Sequence, residues 1–313
     1  MTDLSSAGRG GHARAPESID RTAGDDDLPP TAAGARHERR ATRPGARTVL
    51  RCELVKLGAQ VKVRAGFAVC LLGPLAAAVL FGLQNGLPKD TLFGRHLHES
   101  GMALPMLLLG FAGTWVLPLL ATLVAGDVFS SEDGLGTWKT VLTRSTGRRE
   151  LFAGKVLAAV VSAVGLVAVA AASSVVAGLL LSGWRPLTGL GGQPVSAGHA
   201  ALLTVASWLT VLPPVLGFVA IGCLLSVVTR TSVAGVGVPV VLGLVMTVVA
   251  LVDGIGPLRY LLLTTGFSAW HGLWLPTISF AAVEQQSLVA LGWALVCLPL
   301  ARRSLIRRDV TED

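Results

Sequence analysis

Residues 156–184 read VLAAVVSAVGLVAVAAASSVVAGLLLSGW, 29 positions without an Asp, Glu, Lys, Arg or His. A helix crosses a hydrocarbon core about 30 Å thick with about 20 apolar residues. The stretch is therefore a membrane span. It is also longer than it needs to be, so it must tilt or project beyond the bilayer.

Five further uncharged stretches lie on either side of it, at 65–83, 103–126, 200–229, 231–252 and 285–301. The one at 200–229 is again long, and Pro213-Pro214 is expected to kink or break it because each proline removes an intrahelical donor. The composition of the 313-residue chain agrees: 52% hydrophobic, mean hydropathy +0.64 and only 14% charged. A soluble domain carries about 25% charged residues. The expected fold class is all-α integral membrane, with six transmembrane helices in one membrane domain spanning 65–313.

Charge placement orients that layout. With the N-terminus inside, 22 of the 26 lysines and arginines fall on the cytoplasmic side, leaving only Lys89, Arg95, Arg185 and Arg259 outside. Counting only residues 45–64 ahead of the first span still leaves 15 against 4. The positive-inside rule thus places both termini in the cytoplasm. The net charge of +7 belongs to these flanks, where it faces anionic lipid, so nucleic acid is not the expected partner. Residues 258–276, LRYLLLTTGFSAWHGLWLP, tempt a seventh span. A seventh span would export Arg302, Arg303, Arg307 and Arg308, so 254–284 is read as an outer interfacial or re-entrant segment.

Ahead of the first span, residues 1–47 are rich in Arg, Asp, Gly, Ala and Pro and hold no apolar stretch. The expectation there is a disordered cytoplasmic tail without a signal peptide. Residues 48–64, TVLRCELVKLGAQVKVR, repeat Leu50, Leu54, Leu57 and Val61 at helical spacing, with Arg51, Glu53, Lys56, Gln60 and Lys62 on the other faces. This is a short basic amphipathic helix suited to the membrane interface, or the cytoplasmic end of the first span.

Several chemistries are missing. None of the six stretches contains an ionisable residue, whereas ion-coupled carriers and proton pumps need such groups at membrane depth. The spacing from Gly147 to Gly154-Lys155 is wrong for a P-loop, and Val156 stands where Ser or Thr is required. Leu181-Ser182-Gly183-Trp184 and Leu190-Gly191-Gly192-Gln193 echo the ABC ATPase signature only by chance, in a chain without a P-loop. Ser162, Ser173, Ser174, Ser207 and Ser226 have no histidine at depth to activate them, and intramembrane hydroxyls ordinarily serve helix packing. His96, His98 and Glu99 read as a polar loop, and Cys52, Cys70, Cys223 and Cys297 form no metal or disulfide pattern. No catalytic residue, cofactor or metal ligand is assigned.

The most patterned segment is 126–159, GDVFSSEDGLGTWKTVLTRSTGRRELFAGKVLAA, between the second and third spans. Acidic residues lead into Gly134 and Gly136, then a short helix-compatible run, then Gly147-Arg148-Arg149-Glu150 and a helix carrying Lys155. A plain connector is shorter and less patterned.

At these residues the chain resembles the type-2 family of ABC-transporter permeases, the membrane subunits of bacterial exporters. The resemblance rests on Glu132, Gly136-Thr137, Val141-Leu142, Arg148 and Gly154-Lys155, with Glu53 and Lys56 ahead of the first span; Ser145 stands where the family often has proline. It implies a non-enzymatic plasma-membrane subunit that dimerises with a second copy or a paralogue and binds two separately encoded ABC ATPase subunits. The loop then acts as a coupling helix, with Glu132, Gly136, Thr137, Arg148, Arg149 and Lys155 as its key residues. Glu132 would pair with the ATPase or brace the loop's own arginines, while Arg148 and Lys155 would anchor the return to the membrane surface. The other reading of the same layout is a passive channel, an uncoupled carrier or a membrane scaffold.

Overall fold

The computed structural model describes residues 45–84, 91–134, 147–252, 254 and 256–307, which are almost wholly helical. The expected tail therefore lies outside the described residues except for its last three positions. Helix α1 (Ala46–Ala59) ends at Gln60, whose extended backbone lets the chain turn directly into α2 (Val61–Leu83). A 3-10 turn at Gly94–His96 leads to α3 (Ala103–Thr114), α4 (Val116–Ala125) and the short α5 (Ser130–Gly134). Then come α6 (Arg148–Ser182), a two-stranded antiparallel hairpin (Leu187–Thr188 with Pro194–Val195), α7 (Ala197–Thr210), α8 (Leu212–Thr229) and α9 (Ser232–Ala250). Two 3-10 segments, Gly256–Leu261 and Leu263–Trp274, precede α10 (Ala281–Arg307).

Among the described residues, five helices are able by length and composition to cross a membrane: α2, α6, α7 with α8 as one span, α9 and α10. The pair α3–α4 passes the same test together but is bent by 57°, giving up to six spans. This is an all-α integral membrane protein. The bend at Trp115 was not expected from the uncharged run 103–126. Pro118 explains it: the residue cannot donate to the Thr114 carbonyl, and its ring crowds that oxygen. The break expected at Pro213-Pro214 is present in milder form, with Val211 separating α7 from α8.

At 35 residues α6 is about 52 Å long, well beyond the hydrocarbon thickness. It begins eight positions before its apolar stretch, so its first two turns extend past the apolar region. The most buried span is the α7–α8 unit; α8 packs against α4, α9 and α10, while α1 and α2 both pack along α6. The outward faces of α2, α9 and α10 carry exposed aliphatic side chains such as Leu72, Val245 and Leu295, as a bilayer-facing surface requires.

Two close helix approaches depend on glycine. A Cβ on Gly126 would lie 2.4 Å from the Gly235 carbonyl carbon, and one on Gly178 would lie 2.0 Å from the Gly101 oxygen. These pairs sit at opposite ends of the bundle. Arg230, in the left-handed conformation at φ 60, ends α8, and Thr231 then caps α9 by accepting from the Ala234 N–H at 3.4 Å.

Within the segment read as interfacial or re-entrant, the longer 3-10 run has 12 residues. Leu263–Trp274 packs against α7, α9 and α10, and its indoles point into the protein: Trp270 is 2% exposed and Trp274 is fully buried. Trp274 meets Phe93 edge-on at 5.1 Å and donates its indole N–H to Ser207 Oγ at 3.0 Å. Its carbonyl accepts from the Leu190 N–H and from Gln193 Nε2, both at 3.1 Å, which fastens the hairpin to this end of the bundle.

Candidate functional site at the charged end

Helix α1 buries Val49, Glu53 and Leu57, an i, i+4, i+8 stripe. This differs from the stripe expected on sequence, since Val61 is 80% exposed and Glu53 faces inward. The reason is α6. Gly154 presents no side chain to α1, and a Cβ there would lie 2.5 Å from Val49 Cγ1. The close approach delivers the next residue, Lys155, into the gap between α1, α5 and α6.

Lys155 is fully buried, and all three of its ammonium donors find acceptors: Glu53 Oε2 at 3.0 Å, Glu132 Oε1 at 3.2 Å and the Val128 carbonyl at 2.9 Å. Lys56 closes the ring by donating to Glu53 Oε1 at 3.1 Å and Glu132 Oε1 at 2.7 Å. Two carboxylates thus face two ammonium groups drawn from three segments of chain. The buried Phe129 ring, stacked on Phe152 at 5.6 Å, lies 5.9 Å from the Lys155 nitrogen. Burial pulls the Lys56 ammonium downward, but the Glu132 hydrogen bond and the Glu53 carboxylate outweigh it and hold its pKa above the usual lysine value.

A second knot lies beside the first. Asp127 is buried where it pairs with Lys62 and accepts from the Ser232 hydroxyl. Ser226, inside α8, accepts the Phe129 and Ser130 N–H groups at 3.2 and 3.0 Å and so satisfies backbone donors at the start of α5. Ser130 donates to the Gly126 carbonyl at 2.9 Å and meets Ser232 Oγ at 3.2 Å. The polar turn between α4 and α5 is thereby tied to α2, α8 and α9.

The geometry makes a brace. It joins α1, α5 and α6 through balanced charge, and removing one member would strand another in a buried setting. Among the described residues there is no group of three or more His, Cys, Asp and Glu able to hold a metal. His96, between α2 and α3, pairs with Glu99 at 2.5 Å.

The family model described as ABC-2 family transporter protein matches residues 49–249, about two-thirds of the chain. The chain belongs to the ABC-2 transporter family. The match runs from α1 through α9, includes every side chain of the two knots, and stops before the 3-10 segments and α10. Among curated proteins none matches with significance. As an ABC-2 family member the chain is a multi-pass membrane transport protein, the permease part of an ABC transporter.

Of the residues singled out on sequence in this ABC-2 permease, Glu53, Lys56, Glu132 and Lys155 come together in one cluster. Lys155, expected to anchor the return to the membrane surface, lies at the centre of that cluster. Arg148 donates to the Ile306 carbonyl at 2.7 Å, linking the start of α6 to the end of α10, and Arg149 is exposed. Gly136 and Thr137 lie outside the described residues. Sequence reading missed the roles of Lys62, Ser226 and Ser232. For Lys62 and Asp127 a signal existed, since each stands just outside an uncharged stretch at the same end of the bundle.

Proposed function

We propose that the chain is the membrane half of an ATP-driven exporter, that it works as a dimer with a second copy or a paralogue, and that it is driven by two separately encoded ABC ATPase subunits. The charged end faces the cytoplasm, with both termini there, and the complex sits in the plasma membrane. The 22-to-4 distribution of lysine and arginine supports this orientation.

One observation carries the coupling: the buried Glu53–Lys56–Glu132–Lys155 ring flanks the segment 135–146 on both sides. A push delivered there by an ATPase would reach α1, α5 and the long α6 as one body, and not be lost in a loose connector. Allosteric switching needs elements with two discrete arrangements, and a rigid lever is what biases them. In this reading Glu132 is an internal strut of the coupling element. Gly136 and Thr137 stand in sequence between the two halves of the lever, and Arg148 ties it to α10.

The test is Glu132→Arg combined with Gly136→Pro in the full-length chain co-expressed with its ATPase. Co-purification of ATPase or substrate-stimulated ATP hydrolysis should fall sharply while membrane insertion persists. Survival of both would reduce the loop to a connector and return the field to a passive channel or carrier. Reporter fusions should read cytoplasmic at positions 140 and 313 and external at 90, 190 and 270.

A further inference from the structure

On the side of α6 away from α1, a groove of about 950 Å³ runs between α6 and α10. Four guanidinium groups stand around it: Arg149 from α6, with Arg302, Arg303 and Arg307 from α10. Its floor is apolar and includes Leu157, Val160 and Leu298. Among the described residues no acidic side chain lines it, and none of these four arginines has a hydrogen bond or ion pair. Arg148, by contrast, reaches the Ile306 carbonyl and holds the two helix ends side by side.

Basic residues near the C-terminus of α10 complement that helix's macrodipole. Arg149 does the opposite, because it sits in the first turn of α6, where the dipole favours an anion. Glu150 shares that turn but does not line the groove, so an anion seated in the groove would add to the compensation of Arg149. We propose that this groove binds one anionic phospholipid, its phosphate among the four arginines and an acyl chain along Leu157, Val160 and Leu298. Basic pockets between transmembrane helices at the bilayer surface recognise such headgroups. Arginine suits the task because its planar fork pairs two donors with a phosphate. The floor decides between a lipid and a protein partner. It belongs to the uncharged stretches of the third and sixth spans, within the hydrocarbon, where a soluble ATPase does not reach. A lipid seated there would bridge α6, whose other face carries the ion ring, to α10.

The test is native mass spectrometry of the full-length protein released from bilayers of equal phosphatidylglycerol and phosphatidylcholine. Wild type should retain phosphatidylglycerol preferentially. Arg149→Gln, Arg302→Gln and Arg303→Gln should each lower that preference, by about fivefold per arginine removed. Val160→Trp, which fills the floor and leaves the arginines in place, should also lower retention. Glycerophosphoglycerol, the same headgroup without acyl chains, should not compete; competition at low millimolar concentration would make this a free-anion site and overturn the proposal. An unchanged lipid preference in the triple arginine variant would overturn it too, as would loss of bound ATPase from that variant with lipid retention intact, which would assign the arginines to a protein partner.

Discussion

At the charged end Lys155 is enclosed by Glu53, Glu132 and the Val128 carbonyl; at the opposite end Trp274 is enclosed by Phe93, the hairpin and Ser207. Both side chains are fully buried and both join segments far apart in sequence. The forces differ. The first site depends on paired charges that have left water, so the loss of one partner exposes the rest to the full desolvation cost. The second depends on ring packing and single neutral hydrogen bonds, whose losses are graded. A lever has to move as one piece, and the all-or-none site is at the end where the lever is proposed.

Lys155→Met is the harshest way to break this comparison, because it removes the fully buried ammonium that joins Glu53 and Glu132 and leaves the half-exposed Lys56 beside them. Removing one partner of a buried ion pair costs about 3–5 kcal/mol. The thermal unfolding midpoint in detergent should fall steeply, and adding Glu53→Gln and Glu132→Gln should recover much of the loss. A single variant as stable as wild type would mean that the ring contributes no more than a surface ion pair.

Backbone contact should make the two ends behave alike. Gly126→Val at the charged end and Gly178→Val at the other both drive a side chain into backbone atoms. Overpacking costs about 1–3 kcal/mol at each, and both variants should lose folded yield to a similar degree on size-exclusion profiles. A loss at only one end would show that the helix crossing there yields while the other does not.

Trp274→Phe removes the indole donor to Ser207 and keeps most of the ring. Ser207 still donates to the Leu203 carbonyl at 2.7 Å, so no buried hydroxyl is stranded. The expected loss is about 1 kcal/mol, read again as a small shift in midpoint. A fall as large as that for Lys155→Met would erase the distinction between the ends.

These sites differ in how far they could be read from sequence. The apolar stretches were legible because a bilayer demands uncharged length, a property of contiguous residues. The 57° bend at Trp115 was not, because Pro118 sits in an uncharged run whose hydropathy it does not disturb. Glu53 was placed on the polar face of its helix because periodicity treats a carboxylate as solvent-seeking. It is buried because Lys155, 102 positions away, arrives through the gap that Gly154 leaves. Trp270 and Trp274 stand in the segment read as interfacial or re-entrant, and only the surrounding α7, α9 and α10 turn them inward. The ring's residues were each singled out by the family resemblance, but their contact with one another is a tertiary fact.

Lys56 gives the smallest effect and the most specific one, since its removal tests electrostatics at the charged end while both carboxylates keep the buried Lys155 as a partner. Its pKa is held above the usual lysine value of 10.5, by the Glu132 hydrogen bond and the Glu53 carboxylate against the pull of burial. A folded-state pKa raised above the unfolded one contributes stability that is fully present below the unfolded value and is lost as pH rises through the folded value. The stability difference between wild type and Lys56→Met should therefore be constant from about pH 7 to 9 and shrink once the pH passes the usual lysine range. The side chain is 52% exposed, so solvent screens the pair and the difference stays well below that for Lys155→Met. Thermal midpoints of the two proteins across this range make the measurement, with Trp274→Phe as the control that lacks a titrating group and should show no comparable pH dependence relative to wild type. If the Lys56→Met difference grew with rising pH, the lysine would be destabilised by its surroundings, and the charge-paired account of this end would be wrong in sign.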